Sequence, residues 1–402
     1  ADACGIANGT DMIFDHISAM WGRDETFSVS WDKKGVLPGN ITIQNSIIGQ
    51  GLMSHSAGGL IQTDGGVTLY RNLYIDNNTR NAKVKGLNQY VNNVVYNWSN
   101  GAYIMGDTEG ASWAQIENNY FINGRWGGPS KPFTRGSEAF HYYGAGNYHD
   151  SNKNGALDGD LLTIDQMNGT QGDGRHSTWV ESLEALNSKV IHEVIHEGTG
   201  SNINYDVITS EKDRTIPQPI VEIAGKMTAQ EAVAWIIENV GPTLPARDEV
   251  DQYLIDDLMS FGTKGTRSGI SDETTLPHGG TGTISGGVKP LDSDNDGMPD
   301  AWETANGLNP NDASDAVAIA ANGYMNIENY ANSITEAYPY IKKPVKLAAG
   351  ETTKTSVALT WDVNKNTDCG FVIETSTDGG VTFTEAATVP AGTSSTELTG
   401  LN

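Results

Sequence analysis

The chain has 402 residues and carries 25 Lys and Arg against 50 Asp and Glu, a formal net charge of −25. Residues 1 to 150 hold 10 basic and 13 acidic side chains, a net of −3, so the remaining −22 belongs to residues 151 to 402. Such acidity disfavours nucleic acid and anionic membranes as partners. No run of 18 apolar residues exists for a membrane span, and the length favours two or three domains.

Residues 1–165 predict an all-β domain built from repeated coils. Short β-branched and aromatic runs with a polar corner recur at 13–17, 41–48, 67–75, 90–96, 114–122 and 140–148. The corner residues Ser46, Asn72, Asn93, Asn119 and Asn147 follow at steps of 26, 21, 26 and 28 residues. This period fits a parallel β-helix with three short strands per coil, whose Asn corners take left-handed backbone and stack their amides. The alternative is a β-sandwich with Asn-rich turns, whose hairpins would give shorter spacing.

Two charged segments predict a site for an acidic polymer. Arg80, Lys83 and Lys85 place three cations within six positions, and a paired carboxylate, Asp24-Glu25, lies about 55 residues upstream. Such a pair can hold a hard cation, and the basic cluster can bind an anion. Five aromatic residues lie near the cations in sequence: Tyr70, Tyr74, Tyr90, Tyr96 and Trp98. They could stack on sugar rings, but packing inside the coil is the commoner role.

Residues 166–277 predict a helical and irregular extension that packs on the β-helix. A capping box at Thr228-Ala229-Gln230-Glu231 opens a helix that continues to Asn239, and a second helix over 247–261 is closed by Gly262. The phrase His192-Glu193-Val194-Ile195-His196 matches a zinc-protease motif that requires a helix. Its β-branched neighbours lower the helix propensity and no third His follows, so a zinc site is disfavoured.

The C-terminal part predicts two small modules after a Gly/Thr-rich linker at 278–289. The first, 290–338, surrounds a loop that matches the EF-hand calcium template, with a structural role. Its ligands would be Asp292, Asp294, Asp296, Asp300 and Glu303. The second, 345–402, has strands at 356–361 and 370–376 and resembles part of a fibronectin type III sandwich.

A weaker copy of the calcium loop precedes the helical extension. Its oxygen donors would be Asp150, Asn152, Asn154 and Asp158, but Leu161 stands where a bidentate Glu is expected. This segment is a second calcium site or a polar turn.

The first 150 residues resemble the pectate lyases of polysaccharide lyase family 1. The resemblance rests on phrases in the same order: Asp15-His16-Ile17-Ser18, Trp21-Gly22, Asp24-Glu25, Asn72-Leu73-Tyr74, Arg80-Asn81-Ala82-Lys83-Val84-Lys85-Gly86, and Val91-Asn92-Asn93-Val94-Val95-Tyr96-Asn97. It implies a right-handed parallel β-helix, with the coils that normally precede Asp2 missing here. It also implies a secreted, monomeric enzyme of bacterial type with C-terminal extensions, which cleaves polygalacturonate, an acidic plant polysaccharide, by calcium-dependent β-elimination.

The resemblance also implies roles for individual residues. Arg80 matches the base and Lys85 the cation that binds the substrate carboxylate. Lys83 is expected to contact substrate or to be a solvated residue of the strand ladder, and His55 is expected to take a polar role near the substrate. Asp2, Asp24 and Glu25 would hold the catalytic Ca²⁺. Two departures concern this site: Ser28 replaces a common calcium Asp, and residues 54–59 lack a common Lys.

Arginine resists deprotonation, so nearby cations would have to lower the pKa of Arg80, which favours an alkaline optimum.

Two other functions fit the same fold. A pectin hydrolase would need an acid and a base carboxylate in one cleft without metal. A non-catalytic carbohydrate-binding β-helix would need no base at all.

Overall fold

The computed structural model describes residues 2–108, 110–128, 131–198, 202–244, 246–282, 290–334, 345–362, 371–377, 382–389 and 393–401. Two compact units are formed: Ala1–Thr243 with Arg247–Ile284, and Leu244–Ala246 with Ser285–Asn402. Positions 283–289 of the predicted linker lie outside the described residues.

Parallel strands form six coils in the first unit. They are β1 (Cys4–Ile6), β2 (Thr10–Asp15), β3 (Ser18–Met20), β4 (Phe27–Ser30), β5 (Gly39–Gln44), β6 (Ile47–Gly49), β7 (Leu60–Tyr70), β8 (Leu73–Ile75), β9 (Lys83–Val91), β10 (Val94–Tyr96), β11 (Tyr103–Met105), β12 (Ser112–Glu117), β13 (Tyr120–Ile122), β14 (Phe133–Thr134), β15 (Phe140–Ala145) and β16 (Tyr148–Asp150). One face stacks β3, β6, β8, β10, β13 and β16. The long strands β7 and β9 each contribute to two faces of the coil. Strand β7 pairs with both β4 and β5. Strand β9 pairs with both β11 and β12. This arrangement confirms a parallel β-helix and excludes the β-sandwich for this unit.

A ladder of buried amides holds the corners together. Asn72 Oδ1 accepts the Ser46 N–H at 3.1 Å, and the same bond links Asn72 to Asn93 at 3.0 Å and Asn93 to Asn119 at 2.8 Å. The predicted stacking of amides is therefore confirmed. The predicted left-handed backbone at these residues is wrong, because the residue one position earlier bends the chain. Those preceding residues have φ between 52° and 67°: Asn45, Arg71, Asn92, Asn118 and Gly146.

The coil interior is apolar and aromatic. The rings of Tyr74 and Tyr90 are tilted with centroids 6.2 Å apart, the rings of Tyr90 and Tyr103 meet edge-on at 4.8 Å, and all three side chains are fully buried. Trp98 is also buried and packs edge-on against Phe121. The aromatic residues near the cation cluster therefore serve the core and not a sugar-binding surface.

Shorter elements cover the outside of the coils. They are β17 (Asp160–Leu161), α1 (Ile164–Met167), β18 (Thr178–Trp179), α2 (Leu183–Asn187), β19 (Ile191–Glu197), β20 (Asn204–Arg214), α3 (Ala229–Asn239), α4 (Glu249–Leu258) and a 3₁₀ turn (Glu273–Thr275). Val233 of α3 and Leu254 of α4 belong to one buried cluster with Leu73 and Val94 of the coil. Both predicted helices and their packing on the coil are confirmed. Thr228 and Glu231 form the expected capping box, and α4 ends three residues before the predicted boundary.

The zinc-protease phrase lies on a strand. His192 to His196 fall within β19, which pairs with β20 in an antiparallel hairpin that the sequence did not predict. Four residues of strand separate the two imidazoles by about 13 Å, too far for one ion. Glu193 is buried and binds Arg214 at 3.4 Å, Lys212 at 3.3 Å and the Ala111 N–H at 2.8 Å. Glu193 is therefore a structural anchor for the hairpin.

The second unit contains two short helices and two antiparallel sheets. Its elements are α5 (Asp300–Ala305), α6 (Asn326–Ser333), β21 (Val345–Thr352), β22 (Ser356–Asp362), β23 (Phe371–Thr375), β24 (Thr384–Val389) and β25 (Ser395–Thr399). One sheet orders β21, β22 and β25, the other pairs β23 with β24, and Trp361, Phe371 and Val389 pack together. Strands lie at the positions predicted as 356–361 and 370–376, but the second ends at Thr375 and Gly370 lies outside the described residues. Among the described helices, none has the length and apolarity needed to cross a bilayer.

Candidate active site

Three carboxylates converge where the first coils begin. One oxygen from each of Asp2, Asp24 and Glu25 lies within 4.8 Å of the others. Asp2 precedes β1, and the other two belong to the loop between β3 and β4, where the Glu25 N–H donates to Asp2 Oδ1 at 3.4 Å. Clustered carboxylate oxygens are the ligands that a hard divalent cation such as Ca²⁺ prefers. The three predicted calcium ligands are thus brought together.

Arg80 contacts this trio directly. Its Nη1 forms an ion pair with Oε1 of Glu25, and both side chains are largely buried. Burial lowers the pKa of Arg80 and the nearby Arg135 cation lowers it further, while Asp24, Asp107 and Asp2 raise it. The proposed base therefore lies beside the proposed metal ligands, as the sequence predicted.

Two glycines allow the Arg80 loop to approach the neighbouring coil. The Gly59 N–H donates to the Arg80 carbonyl at 2.7 Å. A Cβ on Gly58 would lie 2.6 Å from that carbonyl oxygen, and a Cβ on Gly59 would lie 1.8 Å from the Phe27 carbonyl oxygen. Any larger residue at either position would push apart the coils that carry Glu25 and Arg80.

Lys83 and Lys85 point to the same side of β9, since they are two residues apart on a strand. The Lys83 ammonium donates to Asp107 Oδ2 at 2.6 Å, and the Lys85 ammonium donates to Thr108 Oγ1. The intervening Val84 is fully buried in the coil. The cation cluster is therefore an exterior row on a rigid strand.

This row forms one wall of a groove of about 600 Å³. The lining residues are Leu60, Gln62, Arg80, Lys83, Lys85, Asp107, Thr108, Arg135, Gln171, Arg175, Ile203 and Tyr205. Five of these side chains are cationic and one is anionic. A groove with this excess of positive charge, in a protein of net charge −25, suits a polyanion.

The sequence prediction missed the opposite wall of the groove. Arg175 donates to the Tyr205 hydroxyl at 2.6 Å, and its guanidinium lies 4.6 Å from the centroid of that ring. Tyr205 reaches the groove on the hairpin strand β20, which has no sequence signal linking it to β9. Arg135 could have been predicted more easily than Tyr205, because it lies one coil beyond Asp107. The Asp107 N–H donates to the Arg135 carbonyl at 2.9 Å. Counting coil periods beyond Lys83 would have led to both residues.

His55 and Ser28 mark the two places where the chain departs from the family pattern. His55 is more than half exposed, and its Nδ1 contacts Asp24 Oδ1. It does not line the described groove. Ser28 is buried in β4, where its Oγ accepts the Leu60 N–H at 3.1 Å. Ser28 therefore holds two strands together and adds no carboxylate to the trio.

A second acidic cluster lies in the other unit. Asp292, Asp294 and Asp296 approach within 4.8 Å of one another, and Asp296 forms a further group with Glu303 and Asp315. Loss of solvation and the neighbouring carboxylates raise the pKa of Glu303 to about 7. The sequence did not predict Asp315.

The predicted ligand Asp300 makes other contacts. It accepts two hydrogen bonds of 2.7 Å from Ser293, one from the backbone and one from the hydroxyl. Its place in the calcium shell stays a prediction.

The weaker loop at 150–158 is closed by its own hydrogen bonds. The side-chain amides of Asn152 and Asn154 donate to Asp158 at 2.7 Å and 2.9 Å. Asp150 accepts the backbone N–H of Asn152 and of Asp158, each at 3.3 Å. These bonds account for a polar turn, and the second calcium site stays a prediction.

Comparison with known proteins gives several relatives that share one name. "Probable pectate lyase C" of Neosartorya fischeri is 44% identical over 337 residues, which cover 83% of this chain and 67% of the relative. The protein of the same name from Aspergillus terreus is 45% identical over 83% of this chain and 68% of its own length. That from Emericella nidulans is 43% identical over 350 residues, 85% of this chain and 69% of the relative.

The remaining comparisons are weaker. A solved structure of a thermostable pectate lyase aligns with 60% of this chain and 53% of its own at 15% identity. Its TM-score of 0.33 is too low to support conclusions. No protein-family model matches the chain.

Proposed function

Since the chain belongs to the pectate lyases, which are polysaccharide lyases, we propose that it cleaves α-1,4-polygalacturonate by calcium-dependent β-elimination with Arg80 as the base. One observation carries this proposal: Arg80 contacts the Asp2, Asp24 and Glu25 cluster and also lines the cationic groove. The substrate is a chain of uronates, and these residues supply the two things that such a substrate needs. They provide cations for its carboxylates and a base beside a metal site.

Substrate binding falls to the cations of the groove. Lys85 lies five residues after Arg80 and is proposed to hold the carboxylate of the reacting uronate, with Lys83 beside it on the same strand face. Arg135 and Arg175 extend the positive charge to the far wall. Guanidinium groups bind carboxylates in a bidentate manner, which fixes orientation as well as supplying energy. His55 is proposed to act at the edge of this site through its contact with Asp24.

The metal requirement follows from the acidity of the proton to be removed. The C5 proton of a uronate is poorly acidic because its removal adds charge beside an existing carboxylate. A calcium ion held by Asp2, Asp24 and Glu25 would neutralise that carboxylate and so acidify the proton. The donor set fits calcium because all three ligands are carboxylates on adjacent coils.

Arg80 needs a lowered pKa to act as a base. Burial already lowers the pKa of Arg80, whereas its ion pair with Glu25 stabilises the protonated form. If Glu25 held a cation with its carboxylate, that stabilisation would be weakened and Arg80 would be easier to deprotonate. Glu25 thus has two roles, as a metal ligand and as a control on the base. We therefore expect the lyase activity to have an alkaline pH optimum.

The alternative of a glycoside hydrolase is disfavoured by the acidic groups present. Among the described residues that line the groove, Asp107 supplies the only carboxylate, and it is paired with Lys83. The trio of Asp2, Asp24 and Glu25 is not part of this groove lining, whereas a glycosidase needs two carboxyl groups flanking the scissile bond in one cleft. No acid and base pair of the required spacing is therefore apparent in this described groove.

Ultraviolet absorbance of the unsaturated product tests the proposal. Polygalacturonate with calcium at alkaline pH should give a continuous rise that stops on addition of chelator and returns with excess calcium. New reducing ends without ultraviolet product would indicate a hydrolase. Neither signal, with substrate still bound, would indicate a binding protein.

The setting of the enzyme is also part of this proposal. Pectin is an extracellular polymer, so we infer a secreted enzyme. The monomeric state and the bacterial type stay predictions from the sequence resemblance, and the relatives named above are fungal. The loop at Asp292–Glu303 would bind structural calcium, and residues 345–402 would form a fibronectin type III-like module. The weaker loop at 150–158 would at most add a minor calcium site. The coils are expected to have the right-handed turn that parallel crossovers adopt.

A further inference from the structure

The acidic loop of the second unit is approached by a residue from outside the loop. Asp315 lies 12 positions after Glu303, beyond α5, yet one of its oxygens lies within 4.8 Å of oxygens from Asp296 and Glu303. Glu303 is fully buried, and neither of its oxygens has a hydrogen-bond partner in the described part of the chain. The Oδ1 atom of Asp315 is likewise buried and unpartnered there. Buried anionic oxygens without partners are costly unless a cation binds them.

Asp315 is held in this position by contacts on both sides. Its Oδ2 accepts the Asn309 N–H at 2.9 Å, and its buried Oδ1 has no hydrogen-bond partner among the described residues. Its carbonyl accepts from the side chain of Asn326, the first residue of α6, at 2.8 Å. The neighbouring Ala316 carbonyl accepts the Ile327 N–H at 3.0 Å. Movement of Asp315 is therefore coupled to the start of α6.

The loop and α6 also contact each other near this point. A Cβ on Gly297 would lie 3.3 Å from Cδ1 of Ile327, so the loop packs closely against the helix. On the opposite side, the rings of Trp302 in α5 and Tyr330 in α6 meet edge to face at 5.3 Å. The acidic cluster thus lies where the loop, the segment 309–316 and the two helices meet.

We propose that Asp315 is a ligand of the divalent cation bound in this unit, so that the ion joins the loop 292–303 to the segment that leads into α6. A 12-residue calcium loop normally supplies its own complete set of protein ligands. Here Asp300 is engaged with Ser293, and Asp315 provides a carboxylate from outside. The ion then fixes the two helices of the unit relative to each other. This inference is independent of the proposed lyase activity.

Terbium luminescence measures the site in the full chain. Trp302 is adjacent to Glu303 and should sensitise the luminescence of a bound Tb³⁺ ion. The part of the luminescence that is lost in Trp302→Phe therefore comes from this site and not from an ion at Asp24. Displacement of Tb³⁺ by Ca²⁺ then gives the calcium affinity. Asp315→Asn is the test variant, because an amide oxygen can still accept from Asn309. Asp312→Asn is the matched control, since Asp312 is exposed and its side chain bonds only to Ser314 among the described contacts.

Asp315→Asn should weaken calcium binding by about tenfold or more, because affinity in such sites follows the number of charged ligands. Asp312→Asn should stay within about twofold of the parent, and Glu303→Gln should lose the site. Parent-like affinity in a folded Asp315→Asn protein would overturn the proposal.

A second measurement uses the unsubstituted protein. Calcium should protect the segment 309–327 from proteolysis together with 292–303. Protection of the loop alone would overturn the proposal, even if Asp315→Asn fails to fold.

Discussion

Arg80→Lys tests the central step of the proposed mechanism. The substitution keeps a positive charge, so the groove retains five cations and substrate binding should change little. It removes the guanidinium that contacts Glu25 and lines the groove. A positioned general base contributes about 10² to 10⁴ in rate, so kcat should fall by that factor, which corresponds to about 3 to 5 kcal/mol of barrier.

Two matched Arg→Lys substitutions separate the loss of the base from the loss of a guanidinium group at another position. Arg175→Lys makes the same chemical change on the opposite wall and should alter KM more than kcat. Arg125→Lys changes an exposed residue whose guanidinium lies over Trp126, away from the described groove lining, and should be neutral.

The assay is the initial rate of ultraviolet product on polygalacturonate at saturating calcium and alkaline pH. A folded Arg80→Lys protein with kcat within about tenfold of the parent would refute Arg80 as the base. An equal loss in Arg175→Lys would also refute it, because the effect would then belong to the groove charge and not to the base.

Three further predictions concern stability, pH and substrate length. Asn93→Ala removes a buried amide that accepts from the Asn72 backbone at 3.0 Å and donates to the Leu69 carbonyl at 2.9 Å. It should lower the free energy of unfolding by about 3 kcal/mol in denaturant titration; a loss below about 1 kcal/mol would contradict the ladder's role. Burial, with a contribution from Asp257, raises the pKa of Asp76 from 3.8 to about 8. Between pH 3.8 and about pH 8 the unfolded chain therefore binds fewer protons than the folded protein. The free energy of unfolding should thus fall as pH rises through this range. Asp76→Asn should flatten this slope in melting curves recorded from pH 4 to 9, and an unchanged slope would contradict the assignment. Tyr205→Ala should raise KM about two- to fivefold for long oligomers by loosening Arg175, and less for short ones; equal effects on both lengths would place Tyr205 near the reacting bond.

The coil architecture could be predicted from the sequence because its cause is local and repeated. Each corner amide bonds to the next coil, so the ladder residues recur at nearly the coil period, and the period is visible in the letters. The assignment of the left-handed residue failed by one position. Asn is common at both positions of a corner, as Asn92-Asn93 and Asn118-Asn119 illustrate, and the letters do not say which one bends the chain.

The site was predicted in part for the same reason. Arg80, Lys83 and Lys85 lie close together in sequence, and Asp24-Glu25 form a pair. Tyr205 was missed because its place depends on how the hairpin of β19 and β20 folds back over the coil. Asp315 was missed because α5 intervenes between it and the loop whose carboxylates it joins. The local periodicity of the sequence predicts which residues form rows along the coils. Contacts between segments that are distant in sequence become visible only in the tertiary structure.

The acidity of the whole chain and the positive groove are compatible because charges act over limited distances. At physiological ionic strength the Debye length is about 8 Å, so exposed charges farther away than this are largely screened. The partly buried cations of the groove are screened less, and low-dielectric walls focus their field on a bound ligand. Arg80 and Lys83 are mostly buried, with side chains 21% and 14% exposed, which places them in this less screened class. Under the proposed function, substrate choice would therefore depend on the cations that surround Arg80 and on its contact with Glu25, more than on the net charge of −25.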